Sequence, residues 1–139
     1  MIARESKFAI LFRHWIKANP MYSCTIETKQ TTTESIAFNK VKQAQIDYGM
    51  AIKSKKGVLM RVQAVAEGMP DYVWCRQMPA YIAIKFPKFF CLIDVETFAM
   101  EQKRSERKSL TSSRAKEIAI TVVDLSRLSK LSAKFPTQR

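Results

Sequence analysis

Two side chains of opposite charge, Glu27 and Lys29, stand two residues apart at the end of an alternating run over residues 22–29. Side chains in a β-strand alternate between its faces, so these two point the same way, about 6.7 Å apart along the strand. A carboxylate and an ammonium held side by side on a rigid strand can bind a divalent metal ion and polarise a water molecule. The pair therefore indicates metal-assisted hydrolysis.

The same Glu-x-Lys spacing recurs at Glu101 and Glu106, each followed two residues later by a lysine. Both of these pairs fall in a polar, charge-dense stretch that is typical of a helix or a loop. Residues two apart do not face each other on a helix. Strand register therefore distinguishes the Glu27 pair from the other two.

A metal site needs more than one ligand, and Mg²⁺ usually takes one or two carboxylates together with waters and substrate phosphate oxygens. Asp71 is the strongest second candidate, because it follows Pro70 at the start of a strand, where a side chain lies at a sheet edge. An ordinary turn Asp is the alternative interpretation. Asp94 ends another strand and is expected to cap the helix that follows.

Positive charge dominates the chain: 24 Lys and Arg face 12 Asp and Glu, which gives a formal net charge of +12. A surplus of this size indicates a polyanionic partner, with DNA as the leading class. Phosphate contacts of this kind hold the nucleic-acid backbone and carry little sequence information. The residues expected to make them are Lys40, Lys42, Lys53, Lys55, Lys56, Arg104, Arg107 and Lys108.

Length and composition predict a single domain over residues 1–139, with a basic C-terminal segment from about residue 126 that is loosely held. No stretch approaches the roughly 20 apolar residues of a membrane span, and the amino terminus lacks the features of a secretory signal. Cys24, Cys75 and Cys91 show no Cys-x-x-Cys spacing, which argues against a disulfide framework or a zinc site. We expect a cytoplasmic protein, of a bacterium or a phage-infected cell, with no membrane partner.

Apolar periodicity predicts helices at both ends of a strand-rich centre. An apolar stripe that includes Phe8 and Trp15 favours a helix over residues 4–18, and Asn39 is a plausible cap for a second helix that runs to residue 53. Thr111 or Ser112 is the expected cap of another helix, and residues 118–125 are apolar enough to return to the core.

The predicted strands cover residues 58–65, 72–75, 80–86 and 90–95 and join the Glu27 strand in one sheet. Trp15 and Trp74 are expected in the core rather than as base-stacking platforms. The fold class that follows is α/β (α+β), with a central mixed β-sheet of about five strands flanked by helices.

Two polar residues fall on helix faces that are otherwise apolar. Glu5 lies three residues before Phe8, where it either complements the helix dipole or reaches toward the Glu27 strand. Gln45 shares a face with Val41, and it either hydrogen-bonds a neighbouring backbone group or faces the active edge and touches substrate phosphate. The sequence leaves both alternatives open.

Pro70-Asp71 together with Glu27-Thr28-Lys29 resembles the signature of the Pro-Asp…(Asp/Glu)-x-Lys nuclease superfamily, which includes restriction endonucleases and Holliday junction resolvases. The order of segments along the chain is similar to that of small phage-type members described as Holliday junction resolvase-like. Residues 12–15 come before this strand, and residues 80–87 and 108–111 come after Asp71. The resemblance implies a restriction-endonuclease-like core and a homodimer that cuts branched DNA with Mg²⁺, for which Mn²⁺ can substitute.

The resemblance also implies roles for single residues. Glu27 and Asp71 would hold the metal, Lys29 would orient or activate the attacking water, Glu5 would assist from the first helix, and Gln45 would touch substrate. In the superfamily the Asp ordinarily precedes the Glu-x-Lys strand, whereas no Asp precedes Glu27 here. Either Asp71 reaches the same place from a later strand, which we expect, or Glu5 replaces it, or the site is degraded. The competing classes are a non-catalytic nucleic-acid-binding protein and a restriction or homing-type endonuclease that acts on linear duplex.

Overall fold

The computed structural model describes residues 6–62 and 71–126. Glu5 and most of the segment expected to be loosely held lie outside these residues. The helices are α1 Lys7–Ala18, α2 Gln43–Lys53, α3 Val95–Arg104 and α4 Ser112–Ile118. The strands are β1 Thr25–Gln30, β2 Ser35–Ala37, β3 Val58–Val62, β4 Asp71–Cys75, β5 Tyr81–Lys85, β6 Phe89–Asp94, β7 Ser109–Thr111 and β8 Thr121–Asp124.

The central sheet is mixed and has the strand order β1-β5-β6-β8. β1 runs parallel to β5, and the other two pairings are antiparallel. The predicted α/β class is confirmed, but the sheet has four strands rather than five. β8, from the apolar stretch near the end of the described chain, supplies the strand next to β6.

The sequence analysis expected the strands β3 and β4 to join this sheet, and that expectation is wrong. They pair with each other in a separate antiparallel hairpin. This hairpin is buried mainly on one face. Val58, Met60 and Cys75 pack toward the core, whereas Leu59 and Trp74 on the opposite face are exposed. By contrast, β5 and β6 are buried on both faces, as the centre of a covered sheet requires.

The core lies in two layers on the two faces of the central sheet. One layer joins Phe8, Phe12 and Trp15 of α1 to Ala83 and other residues of β5 and β6. The other layer packs α2 and α3 against the alternate residues of the same strands, including Ile82, Ile84 and Ile93. Trp15 is therefore a core residue, as expected. Trp74 is not, since it is 55% exposed.

The helix starts follow local capping chemistry. Asp94 accepts hydrogen bonds from the backbone N–H groups of the first turn of α3, as the sequence predicts. Of the two caps expected for α4, Thr111 and Ser112, the structure has Thr111, which accepts from the Arg114 N–H. The expected cap at Asn39 is wrong. Residues Phe38–Lys40 form a 3₁₀ turn instead, because Phe38 and Val41 are buried in the core and the backbone at Val41 is extended. Helix α2 therefore begins after Lys42.

Within the described residues, no helix has the length and apolar character needed to cross a membrane.

Candidate active site

Glu27 and Lys29 lie side by side on β1, at the outer edge of the central sheet. In the parallel pairing with β5 they stand opposite Ile82 and Ile84, so both project from the sheet face that α2 covers. The Lys29 Nζ and Glu27 Oε1 atoms are 3.5 Å apart. The two charges therefore meet, as the strand spacing predicts.

An irregularity in β1 determines what else faces α2. The register with β5 shifts between Thr25 and Glu27, which leaves Ile26 as an extra residue. In a regular strand Ile26 and Glu27 would point to opposite faces, whereas a bulge permits two consecutive residues to turn toward one side. Ile26 packs into the core beneath α2, and Glu27 reaches the start of the same helix.

Gln45, in the first turn of α2, connects the helix to this carboxylate. Its Nε2 donates to Glu27 Oε2 at 2.5 Å, and its Oε1 accepts from the backbone N–H of Lys42 at 2.9 Å. Both alternatives raised by the sequence are therefore partly met: Gln45 binds a neighbouring backbone group and also faces the charged edge. The two bonds fix the direction of the amide and, through it, the position of the Glu27 carboxylate.

Gly49 allows α2 to lie close enough for this contact. It stands one helical turn after Gln45, on the same face. A Cβ at Gly49 would lie 2.7 Å from Ile26 Cδ1 and 2.9 Å from Val95 Cγ2. A glycine inside a helix costs about 1 kcal/mol relative to alanine. Here it is explained by the close approach of the helix to β1.

The Glu27 carboxylate keeps capacity for a further partner. Its side chain is 24% exposed, and that of Lys29 is 26% exposed. A carboxylate has about four acceptor positions, and Gln45 and Lys29 occupy two of them. Carboxylate oxygens are the ligands that Mg²⁺ prefers. The described residues, however, bring together no group of three or more His, Cys, Asp or Glu side chains that could hold a metal ion.

The other acids considered in the sequence analysis are placed elsewhere or fall outside the description. The backbone of Asp71 opens β4, opposite Val62 in the hairpin, and its side chain lies outside the described part, as does the whole of Glu5. Asp94 is engaged by Lys53. Both of its carboxylate oxygens bind Lys53 Nζ at 2.7 Å.

Seven of the eight residues expected to contact phosphate are exposed: Lys40, Lys42, Lys55, Lys56, Arg104, Arg107 and Lys108. Lys53 differs, since it is half-buried between Asp94 and Glu96, with the Glu96 oxygen at 3.4 Å. Burial by itself lowers the pKa of Lys53, but the hydrogen bonds and charges of Asp94 and Glu96 outweigh it and raise the pKa. Lys53 therefore already has a structural role.

The sequence analysis missed two residues that shape the site, Ile26 and Gly49. A glycine in the middle of an otherwise apolar helix face was the available signal for the close approach. The bulge at Ile26 had no comparable signal, because the alternation of residues 22–29 continues through it.

Comparison of the chain with protein-family models, with curated proteins and with solved structures gives no match. The fold and the site together define a mixed α/β protein with an acid–amine pair, Glu27 and Lys29, on an outer strand of its central sheet.

Proposed function

We propose that this protein is a metal-dependent DNA endonuclease that hydrolyses phosphodiester bonds on a restriction-endonuclease-like core, with branched DNA such as a Holliday junction as its substrate. The observation that carries the proposal is the fixed carboxylate of Glu27, held by Gln45 and adjacent to Lys29 on an edge strand of a strongly basic protein. An acid held in this way beside an ammonium suits hydrolysis of a phosphodiester better than a purely structural role.

The residues have separate tasks in this chemistry. Glu27 would hold a divalent cation, Mg²⁺ or Mn²⁺, with Asp71 as the second carboxylate. When bound, such an ion supplies a water of lowered pKa and neutralises charge on the phosphate. Gln45 keeps the Glu27 oxygens in a fixed direction, so little reorganisation is needed when substrate arrives. The Lys29 ammonium adds positive charge where the attacking water and the phosphate would meet.

The exposed cations support binding of the substrate backbone. Lys40 and Lys42 lie at the start of α2, next to Gln45, where a phosphate backbone crossing the β1 edge would pass. Contacts of this kind are independent of sequence and weaken steeply with salt. Selectivity for branched DNA and assembly as a homodimer are part of the proposal through the superfamily resemblance, since symmetric cutting of a four-way junction needs two sites.

The test is cleavage of a four-way junction and of a linear duplex of matched sequence, with Mg²⁺, with Mn²⁺ and with EDTA. We expect metal-dependent cutting of the junction that Glu27→Gln or Lys29→Ala abolishes, while DNA binding persists. Glu106→Gln is the matched control, because it makes the same change in charge at an exposed Glu-x-Lys pair outside β1. Cutting that survives both site substitutions would reject the assignment, and equal cutting of the duplex would favour a restriction or homing-type enzyme.

A second candidate function is non-catalytic binding of nucleic acid on a degraded nuclease fold. It is favoured by the absence, among the described residues, of a multi-acid cluster around Glu27. Junction binding without cleavage in any of the metal conditions would support it. A monomeric mass in light scattering at the working concentration would count against the proposed homodimer.

A further inference from the structure

The outer face of the β3–β4 hairpin carries three large side chains that no part of the described protein covers. Leu59 is 53% exposed, Tyr72 is 56% exposed and Trp74 is 55% exposed. Leu59 and Trp74 are cross-strand partners, and Tyr72 lies two residues before Trp74 on the same face. We call Leu59, Tyr72 and Trp74 the aromatic face.

The core does not account for these residues. Val58, Met60 and Cys75 on the inner face of the hairpin already anchor it to the hydrophobic core. The hairpin's register is fixed by that inner face, because a slip of one residue would expose it. Exposed aromatic side chains on an already anchored element indicate a binding surface.

A basic rim lies at the base of the same hairpin. Lys55 and Lys56 precede β3, Arg76 follows β4, and all three are exposed. A Cβ at Gly57, which has φ of 76°, would meet the Arg76 Cβ at 2.6 Å, so this turn packs against Arg76. Among the described residues, no carboxylate forms an ion pair with any of these three cations.

We propose that Tyr72 and Trp74 form a stacking platform for unpaired nucleobases, with Lys55, Lys56 and Arg76 on the adjoining phosphates. Aromatic side chains beside a positive groove are the combination that binds single-stranded nucleic acid, since every base has a face to stack. Charge selects this occupant over a second copy of the chain, because a symmetric contact through the aromatic face would bring the two basic rims together. The inference rests on the proposed function only for the choice of branched DNA as the natural ligand.

The base of the hairpin lies at the opposite end of helix α2 from Gln45. The chain after β4 is fastened to the end of α2, where the Gln77 N–H donates to the Ser54 carbonyl at 3.0 Å. Gln45 lies nine residues earlier on that helix, which is about 13 Å along its axis, or about four nucleotide steps. Bases unpaired at a branch could thus be held while a phosphate a few nucleotides away lies at Glu27.

The experiment measures binding of a mixed-sequence single-stranded DNA oligonucleotide, and of the duplex of the same sequence, in EDTA. The two tryptophans differ in exposure, 8% for Trp15 and 55% for Trp74, so quenching of fluorescence by the single strand reports on Trp74. We expect Trp74→Ala and Tyr72→Ala each to weaken single-strand binding by about 5- to 150-fold, which is about 1–3 kcal/mol at 1.4 kcal/mol per tenfold. Trp74→Phe should retain most of the affinity.

Met100→Ala is the matched control, since Met100 on α3 is 53% exposed and lies outside the hairpin. Far-UV circular dichroism and thermal unfolding verify that each variant is folded. Single-strand binding unchanged in Trp74→Ala and Tyr72→Ala overturns the platform, and so does an equal loss for single strand and duplex. Conversion of a dimer to a monomer with unchanged DNA binding would identify a second copy as the occupant and likewise overturn it.

The outcome is separable from that of the proposed function. A protein that cuts no DNA but loses single-strand affinity with Trp74 keeps the platform and loses the nuclease. If the protein cuts junctions through Glu27 but Trp74→Ala binds single-stranded DNA as tightly as the wild type, the nuclease proposal stands and the platform is overturned.

Discussion

Gln45 permits the sharpest test of the geometry of the candidate site, because the two ends of its amide make different bonds. One end accepts from the Lys42 N–H at 2.9 Å, and the other donates to the Glu27 carboxylate at 2.5 Å. Gln45→Ala removes both bonds. Gln45→Glu keeps an acceptor for Lys42 but replaces the second bond with two facing carboxylates. The two variants therefore separate the helix cap from the contact with Glu27.

The expected magnitudes follow from these bonds. A hydrogen bond to a charged group contributes about 1.5–3 kcal/mol, and a helix cap about 1 kcal/mol. Because Glu27 is 24% exposed, water replaces part of the lost interaction. We expect Gln45→Ala to lower the free energy of unfolding by about 1.5–2.5 kcal/mol. If Glu27 is catalytic, both variants should cut about 10- to 100-fold more slowly, since moving a catalytic group by about 1 Å can lower the rate by up to about 100-fold.

The pH dependence distinguishes the two variants. In Gln45→Glu the loss of stability is largest where both carboxylates are ionised, so it grows as pH rises through the acid range. It shrinks as pH falls, because one protonated carboxyl can donate to the other. The deficit of Gln45→Ala should vary less over the same range, since alanine adds no second carboxylate to repel the first.

Urea unfolding at several pH values and single-turnover cleavage of a junction provide the measurements. Gln43→Ala is the control on the same helix, where the exposed Gln43 bonds only Asp47 among the described residues; its expected cost is about 0.3–0.5 kcal/mol. The assigned geometry would be refuted if Gln45→Ala lost no more unfolding free energy than this control and both Gln45 variants cut at the wild-type rate.

Two further predictions concern the packing around the site. Gly49→Ala should destabilise the protein by about 1–3 kcal/mol, because its Cβ would press on Ile26 and Val95; a rise in melting temperature, the usual result of Gly→Ala in a helix, would contradict the close approach. Lys53→Met should destabilise the protein by about 1–2 kcal/mol at neutral pH through loss of the bonds to Asp94. The folded-state pKa of Lys53 is raised above its ordinary value of 10.5. The stabilisation by Lys53 is therefore complete below pH 10.5 and is lost as the pH rises through the folded-state pKa. Chemical unfolding curves of the wild type and the variant should converge in strong alkali.

Local patterns predicted much of the fold correctly. The apolar stripe of α1, the helix caps at Asp94 and Thr111, and the convergence of Glu27 with Lys29 all depend on residues a few positions apart. Spacing within one element is sufficient for such features, because backbone geometry alone places the side chains.

Features that depend on distant partners could not be predicted in this way. Residues 72–75 are all aromatic or apolar, apart from the hydroxyl of Tyr72 and the indole N–H of Trp74. This run therefore gave no sign that Trp74 would face outward or that β4 would pair only with β3. Lys53 differed from the other lysines through Asp94, which lies 41 residues away. The partner of Glu27 is Gln45, 18 residues away, and the sequence analysis could offer its orientation only as one of two alternatives.

The position of β1 at the rim of the central sheet has a consequence for how the chain can change over time. An outer strand exposes hydrogen-bonding groups that another chain could pair with, and charged side chains on such a strand oppose that aggregation. Glu27 and Lys29 therefore protect solubility whether or not they cut DNA. If the proposed hydrolytic activity were lost in a descendant, selection against aggregation would still favour both charges, so the Glu-x-Lys pair would be kept.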